Sequence, residues 1–317
     1  MNPAPNVPGL HQSWVELPYP ALAGWSFPLA EVIGAEPGPH LAVIAGIHVN
    51  ETSSIEAALR LQHAFDPATL RGRVSIITIL NQPAVAHRTQ YDCPIDGRNI
   101  NFSFPGGPDG TFSEVLAHAM LNDFAGDADV LVDLHGGDLC EEVSHFTVAQ
   151  MTGDPAFDAQ NFELAACFDA EIIVRLAPSE MEAPGRSCSG RARAGRHAAF
   201  AEAGRIGLIE EECVRFHFEG VLRIAKHLGM VDTAPEKRRA PFVAERYLWV
   251  PAPARGIYRC RMEPGELVAE GTLLATVEDH FGRPINALRA PAEGRILWRI
   301  THALIEKGHT VMGLAAR

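Results

Sequence analysis

The sequence predicts an α/β protein: a mixed, largely parallel sheet flanked by helices, followed by a small C-terminal all-β, barrel-like domain. Three observations carry this expectation. Short apolar runs alternate with helix-like segments, turn residues punctuate them, and the character of the chain changes near Val231. The apolar runs are residues 41–47 (LAVIAGI), 74–80 (VSIITIL), 130–134 (VLVDL), 171–175 (EIIVR) and 206–210 (IGLIE). Each is short, rich in β-branched or apolar residues and bounded by Gly, Asp or Pro, as strands buried on both faces are. The segments 53–65, 113–124, 158–166, 191–203 and 219–228 read as helices between them. Such alternation favours a sheet covered on both faces, and it gives weight to any motif at the carboxyl end of a strand.

Residues 232–241 (DTAPEKRRAP) are polar and contain Pro, as a linker is, which predicts a division into 1–240 and 241–317. Beyond it, strand-sized runs are separated by PARG, EPGE, AEG, FGRP, PAEG and EKGH, a spacing that suits a small barrel or sandwich. The turns around Pro264–Gly265 and Pro291–Gly294 resemble those of biotinyl and lipoyl carriers. A carrier needs a lysine on a hairpin tip, and the one lysine after the linker, Lys307, stands between two late β-like segments. A wall or lid beside the active site, or an oligomer contact, is the expected role.

The bulk composition narrows the classes of function. A formal net charge of −12, with 27 Lys and Arg against 39 Asp and Glu, gives no basic surface for phosphates, so no nucleic-acid partner is expected. Six scattered cysteines without a C-x-x-C pair read as reduced thiols. The first residues, MNPAPNVPGLHQSW, lack the basic and apolar regions of a secretory signal, and no apolar run reaches the ~20 residues of a membrane helix. A cytoplasmic protein acting on a small molecule, with no membrane partner and with homo-oligomerisation left open, is expected.

Two segments carry chemistry. In A-G-I-H-V-N-E (45–51), His48 closes a buried strand and Glu51 opens the following helix, so a turn can bring an imidazole and a carboxylate to one point. In D-L-H-G-G (133–137), His135 closes another buried strand. Two His and one Glu leave one zinc position open, which is the composition of a catalytic site. Taken singly, a strand-end His, a helix-start Glu and a turn have ordinary structural explanations. Their joint placement at strand ends of one sheet favours a metal. Asp133 either orients a metal ligand or binds backbone. Glu141 and Glu142 read as solvated, and Cys213 as a small buried filler.

G-I-H-x-N-E, D-G-R-N-I-N-F-S-F-P-G (96–106) and D-L-H-G-G, in this order, resemble the succinylglutamate desuccinylase/aspartoacylase family of the zinc carboxypeptidase-like superfamily, over roughly residues 25 to 230. The resemblance implies one Zn²⁺ per chain on His48, Glu51 and His135. It implies that Arg88 polarises the scissile carbonyl and that Asn101 holds the substrate's polar groups. It also implies a general base late in the α/β domain at a strand end. That region reads G-L-I-E-E-E-C (207–213), where the alignment favours Glu211 and leaves Glu210 and Glu212 as alternatives. In the family's N-x-N-R an arginine follows the Asn and binds a substrate carboxylate; this chain has Phe102, which offers no donors. Either the substrate lacks a carboxylate there, or another arginine replaces it. Arg98 is close in sequence, and Arg186, Arg191, Arg193 and Arg196 lie farther on.

The function implied is zinc-dependent hydrolysis of an N-acyl amino acid or related N-acyl amine. The alternatives are a carboxypeptidase-like peptidase, which the missing cationic anchor at Phe102 disfavours, and a catalytically inactive metal-binding protein.

Overall fold

The computed structural model describes residues 7–87, 89–181 and 183–317. Eight strands build the frame of the sheet: β1 (Gly9–Glu16), β2 (Ser26–Ile33), β3 (Glu36–Ala45), β4 (Arg71–Ile77), β5 (Val130–His135), β6 (Glu141–Gln150), β7 (Ile172–Leu176) and β8 (His197–Arg205). The centre runs β4-β3-β5-β8, all parallel, with β1 and β2 antiparallel beyond β4 and β6 antiparallel beyond β8. The fold is thus the mixed α/β sheet that the alternation of runs predicts. No helix among the described residues is long and apolar enough to cross a membrane.

Side chains of a strand alternate between faces, and the sheet uses this to feed two cores. On one face Ala42, Ile44 and Leu131 pack with α3 (Phe112–Ala119). On the other, Leu41, Val43, Ala45, Val132 and Leu134 pack with α1 (Thr52–Leu61), α4 (Pro155–Ala166) and α6 (Glu211–His227). Asp133 and His135 break the apolar run of β5, and both are fully buried. Burial of two such groups requires partners, which the site supplies.

Two expected elements are corrected. Residues 191–203 read as a helix, yet α5 covers Ser187–Arg193 and, after a turn at 194–196, the segment is β8 from His197 on. Gly195, at φ +67°, stops the helix, and burial of the alanine-rich run A-A-F-A-E-A between β5 and β6 overrides its helical propensity. The predicted strand at 206–210 is instead an exposed connection: Leu208 and Ile209 are 47% and 60% exposed, and α6 starts at Glu211.

After the exposed segment 232–240, the remaining chain has its own apolar core around Val250, Tyr258, Leu274, Ile296 and Leu314. Four strands, Gly256–Cys260, Leu273–Glu278, Pro284–Arg289 and Leu304–Ile305, form a separate antiparallel sheet. Three others, β9 (Arg246–Pro251), β10 (Gly294–Ile300) and β11 (Thr310–Ala316), extend the main sheet, because β10 pairs with β6. The C-terminal region therefore continues the sheet that carries the site.

Candidate metal centre and cavity

The site is assembled where β3 and β5 end. After β3, Gly46 takes φ +67°, and a Cβ there would lie 2.8 Å from the Ile79 Cα, so the turn that presents His48 needs glycine. Glu51 immediately precedes α1, but its side chain makes no cap hydrogen bond. It turns instead to both imidazoles: Oε1 lies 2.6 Å from His48 Nδ1 and Oε2 lies 3.0 Å from His135 Nδ1. The Gly136 N–H donates to Oε2 at 3.0 Å. Gly136 and Gly137 let the chain pass close to β8, since a Cβ on either would meet the Ala203 or Gly204 carbonyl oxygen at 2.4 or 2.5 Å.

The far nitrogens have polar neighbours as well. His48 Nε2 is 3.0 Å from Asn99 Oδ1, and His135 Nε2 is 3.1 Å from Asp133 Oδ1, with Ser187 donating to the other Asp133 oxygen. Asp133 thus lies beside His135, but neither its Oδ1 nor the His135 Nε2 makes a hydrogen bond among the described residues, so both readings stay open. The His135 ring also stacks on Phe200, with centroids 4.6 Å apart.

One donor atom each from His48, Glu51 and His135 lies within 4.8 Å of the others, so the group could hold a metal ion. Burial alone would keep both imidazoles neutral, but the neighbouring carboxylates override it and raise both, Glu51 beside His48 and Asp133 with Glu51 beside His135. Burial likewise raises the Glu51 carboxyl, yet the two imidazoles pull it down to about 2. Two imidazole nitrogens and a carboxylate converging in a buried cradle, with His48 braced from behind by Asn99, suit a divalent cation.

The cluster opens into a cavity of about 500 Å³, walled partly by the C-terminal strands through Tyr247, Trp249 and Trp298. Glu202 of β8 also lines it, and it stands in register with His135 on the neighbouring strand. Burial, and then the negative charge of Glu51, push the Glu202 carboxyl well above the usual range. The Arg186 guanidinium lines the same cavity, 5.4 Å from the ring centres of Phe102 and Tyr247 and 5.7 Å from Trp249. Such aromatic contacts fix a cation without using its hydrogen-bond donors.

Asn101 and Phe102 line the cavity, and Asn101 Oδ1 is buried without a hydrogen-bond partner among the described residues. Arg98 does not: it is exposed and pairs with Glu114 at 2.9 Å. Arg88 lies outside the described residues. The largest correction concerns the base. Glu211 is the exposed first residue of α6, paired with Arg60 at 2.8 Å, because the segment before it is a surface connection and not a strand. Glu210 pairs with Arg205 and Glu212 with Arg239, so none of the three faces the cavity. Glu141, expected in solvent, is half-buried and lines the cavity. Cys213 is buried, and burial pushes its thiol up to about 12 although His145 Nε2 is 3.5 Å away, which suits a filler. The signal for Glu202 was a single charged residue in a run of small apolar ones, legible only once that run is a strand beside His135.

The model of the succinylglutamate desuccinylase/aspartoacylase catalytic domain matches residues 37–228. The chain is 25% identical over 286 residues to the N-alpha-acetyl-L-2,4-diaminobutyric acid deacetylase of Halomonas elongata, covering 88% of this chain and 82% of that protein. Among solved structures it resembles a succinylglutamate desuccinylase/aspartoacylase from Rhodobacter sphaeroides, with 25% identity, a TM-score of 0.84 and coverage of 98% and 97% of the two chains. The product-bound ectoine utilization protein EutE (DoeB) of Ruegeria pomeroyi superposes with a TM-score of 0.87 at 24% identity, again over 98% and 97%.

Proposed function

Since this chain belongs to the succinylglutamate desuccinylase/aspartoacylase family, we propose that it is a zinc-dependent hydrolase that removes the acyl group from a small N-acyl amino acid. The observation that supports this most directly is the convergence of His48, Glu51 and His135 at a cavity that also holds the half-buried Glu202. One zinc ion on the first three residues would supply Lewis acidity to the carbonyl and to water.

The remaining work falls to this chain's own groups. Glu202, and not Glu211, accepts a proton from the attacking water and returns it to the leaving amine. A carboxyl raised by its surroundings suits transfer in both directions near neutrality. Asn99 keeps the His48 imidazole oriented, and the Asp133 carboxylate lies beside His135. Asn101, with Arg88 from the resemblance, holds and polarises the acyl carbonyl. Arg186, whose aromatic contacts leave its N–H groups free to donate, binds the substrate carboxylate that Phe102 cannot. The Halomonas relative acts on an acetylated diamino acid, so N-acetylated amino acids are the first substrates to try.

The test is elemental analysis of the purified protein with an assay across acetyl, succinyl and longer N-acyl amino acids, with and without an α-carboxylate. About one zinc per chain and chelator-sensitive release of amine are expected. Stoichiometric zinc with no hydrolysis of any member would establish the inactive metal-binding alternative, and no uptake of metal would remove the reading altogether.

A further inference from the structure

Among the described residues other than glycine, Tyr91 and Ile206 alone have a positive φ, and of the two only Tyr91 lines the cavity. At φ +61° an aromatic side chain crowds its own backbone, a conformation that persists only where the surroundings impose it. Here they are the turns that carry the ion cradle. Asn50, which stands between His48 and Glu51 in sequence, donates through Nδ2 to the Thr89 carbonyl at 3.1 Å and to Asp138 Oδ1 at 3.0 Å. Thr89 Oγ1 in turn donates to the Asp92 carbonyl across the bend. The strained residue is thus tied both to the turn after β3 and to the turn after β5. Strain maintained in this way directs attention to the side chain that bears it.

The bend brings the Tyr91 ring to the cradle, edge-on to His48, with centroids 5.4 Å apart and planes at 80°. Gln90 Nε2 donates to Tyr91 Oη at 3.0 Å, the one hydrogen bond of this phenol among the described residues. That bond uses an acceptor position of the oxygen and leaves its proton to be donated, and a phenol keeps its proton at neutral pH. Amide hydrolysis needs such a donor, because the carbonyl oxygen becomes negative in the transition state. The cavity is otherwise acidic, lined by Glu51, Glu141 and Glu202. Two other N–H groups of lining residues are spent, that of Trp298 on Tyr247 Oη at 2.6 Å and the Asn101 backbone N–H on Asn99 Oδ1 at 2.9 Å. Glu141, whose charge acts on the Tyr91 phenol, is the competing acceptor for its proton.

We propose that Tyr91 is a further catalytic residue, whose phenol O–H donates a hydrogen bond to the carbonyl oxygen of the scissile amide as that oxygen gains charge. This inference rests on the deacylase reading. It is tested on zinc-loaded Tyr91→Phe with the N-acetylated amino acid that the wild type hydrolyses fastest. The variant keeps the ring and its contact with His48, so its zinc content should equal that of the wild type. Loss of one donor to an oxyanion should lower kcat about 10²- to 10³-fold. KM should move little, because the bond strengthens only as charge develops. An unchanged kcat, expected if the phenol serves Glu141 instead, overturns the assignment. So does a change confined to KM, expected if Tyr91 is only a wall of the cavity.

Calorimetry with methylphosphonate, a tetrahedral anion that mimics a hydrated acetyl group, separates this inference from the one beneath it. If the zinc-loaded wild type hydrolyses no acyl amide, the deacylase reading falls. Binding of methylphosphonate about 10- to 100-fold weaker in Tyr91→Phe than in the wild type, the range of a hydrogen bond to a charged group, would still support a phenol that serves an oxyanion beside the ion. Equal binding to the two proteins would refute it.

Discussion

Replacing Glu202 with Gln alters one proton-accepting oxygen and almost nothing else. The residue sits in register with His135 and lines the cavity, so the substitution acts beside the reacting groups. Its carboxyl is already pushed toward the neutral form by burial, so a neutral amide of the same shape should leave the fold and the metal cradle in place. A positioned general base contributes about 10²- to 10⁴-fold, which is about 3–5 kcal/mol of transition-state stabilisation. Glu202→Gln should therefore lower kcat by that factor at unchanged zinc content. The acidic limb of the wild-type kcat/KM profile, where rate is lost as pH falls through the carboxyl's raised pKa, should disappear in the variant. Glu211→Gln is the matched control: it removes an exposed pair with Arg60 and should leave turnover where it was. Amine release, followed with elemental analysis of each preparation, decides the matter. Retained turnover in Glu202→Gln at full zinc occupancy would refute the assignment, as would a loss confined to Glu211→Gln.

Three further outcomes are expected. His48→Ala should abolish stoichiometric zinc, and chelation of the wild type should lower its melting temperature, because an ion bound only by the folded state stabilises it; a melting curve indifferent to chelator would count against the site. Arg186→Met should keep the aromatic packing but lose the donors, lowering kcat/KM for α-carboxylate substrates about 10- to 100-fold and sparing amides that lack the carboxylate. Stability should fall on acidification. Burial, and then Arg73, lower the His40 pKa to about 4, while burial is the leading cause that takes His145 to about 4 and His217 to about 3. The unfolded chain binds these protons first, near pH 6.5, so stability is complete above that value and is lost as pH falls toward 4. For His40 the loss is about 3 kcal/mol, and a urea midpoint that does not move between pH 7.5 and 4.5 would contradict it.

The parts of the site that sequence makes visible are those set by local chain geometry. His48 and Glu51 are three residues apart across one strand-to-helix turn, and His135 ends an apolar run too short for anything but a strand. Glu202 was hidden because local propensity and tertiary context disagree at the alanine-rich run: alone it favours helix, whereas burial between β5 and β6 makes it a strand. The expected base fell on Glu211 through a second misreading, that of the exposed connection 206–210 as a strand. Glu141 and the rings around Arg186 were hidden for another reason. Tyr247 and Trp249 meet Arg186 across some 60 residues, and Ile300 meets Glu141 across more than 150, through pairings that no local pattern encodes. The mixed sheet was legible; the joining of the C-terminal strands to it was not.

The attachment of β10 to β6 also makes the two ends of the chain share one cavity. His48, Glu51, His135 and Glu202 come from the chain up to β8, whereas Tyr247, Trp249 and Trp298 wall the cavity from the C-terminal strands. β11 pairs with both β9 and β10, so residues 310–316 hold together the strands that carry those three rings. A change in those strands would reshape the cavity without touching the residues that could hold an ion.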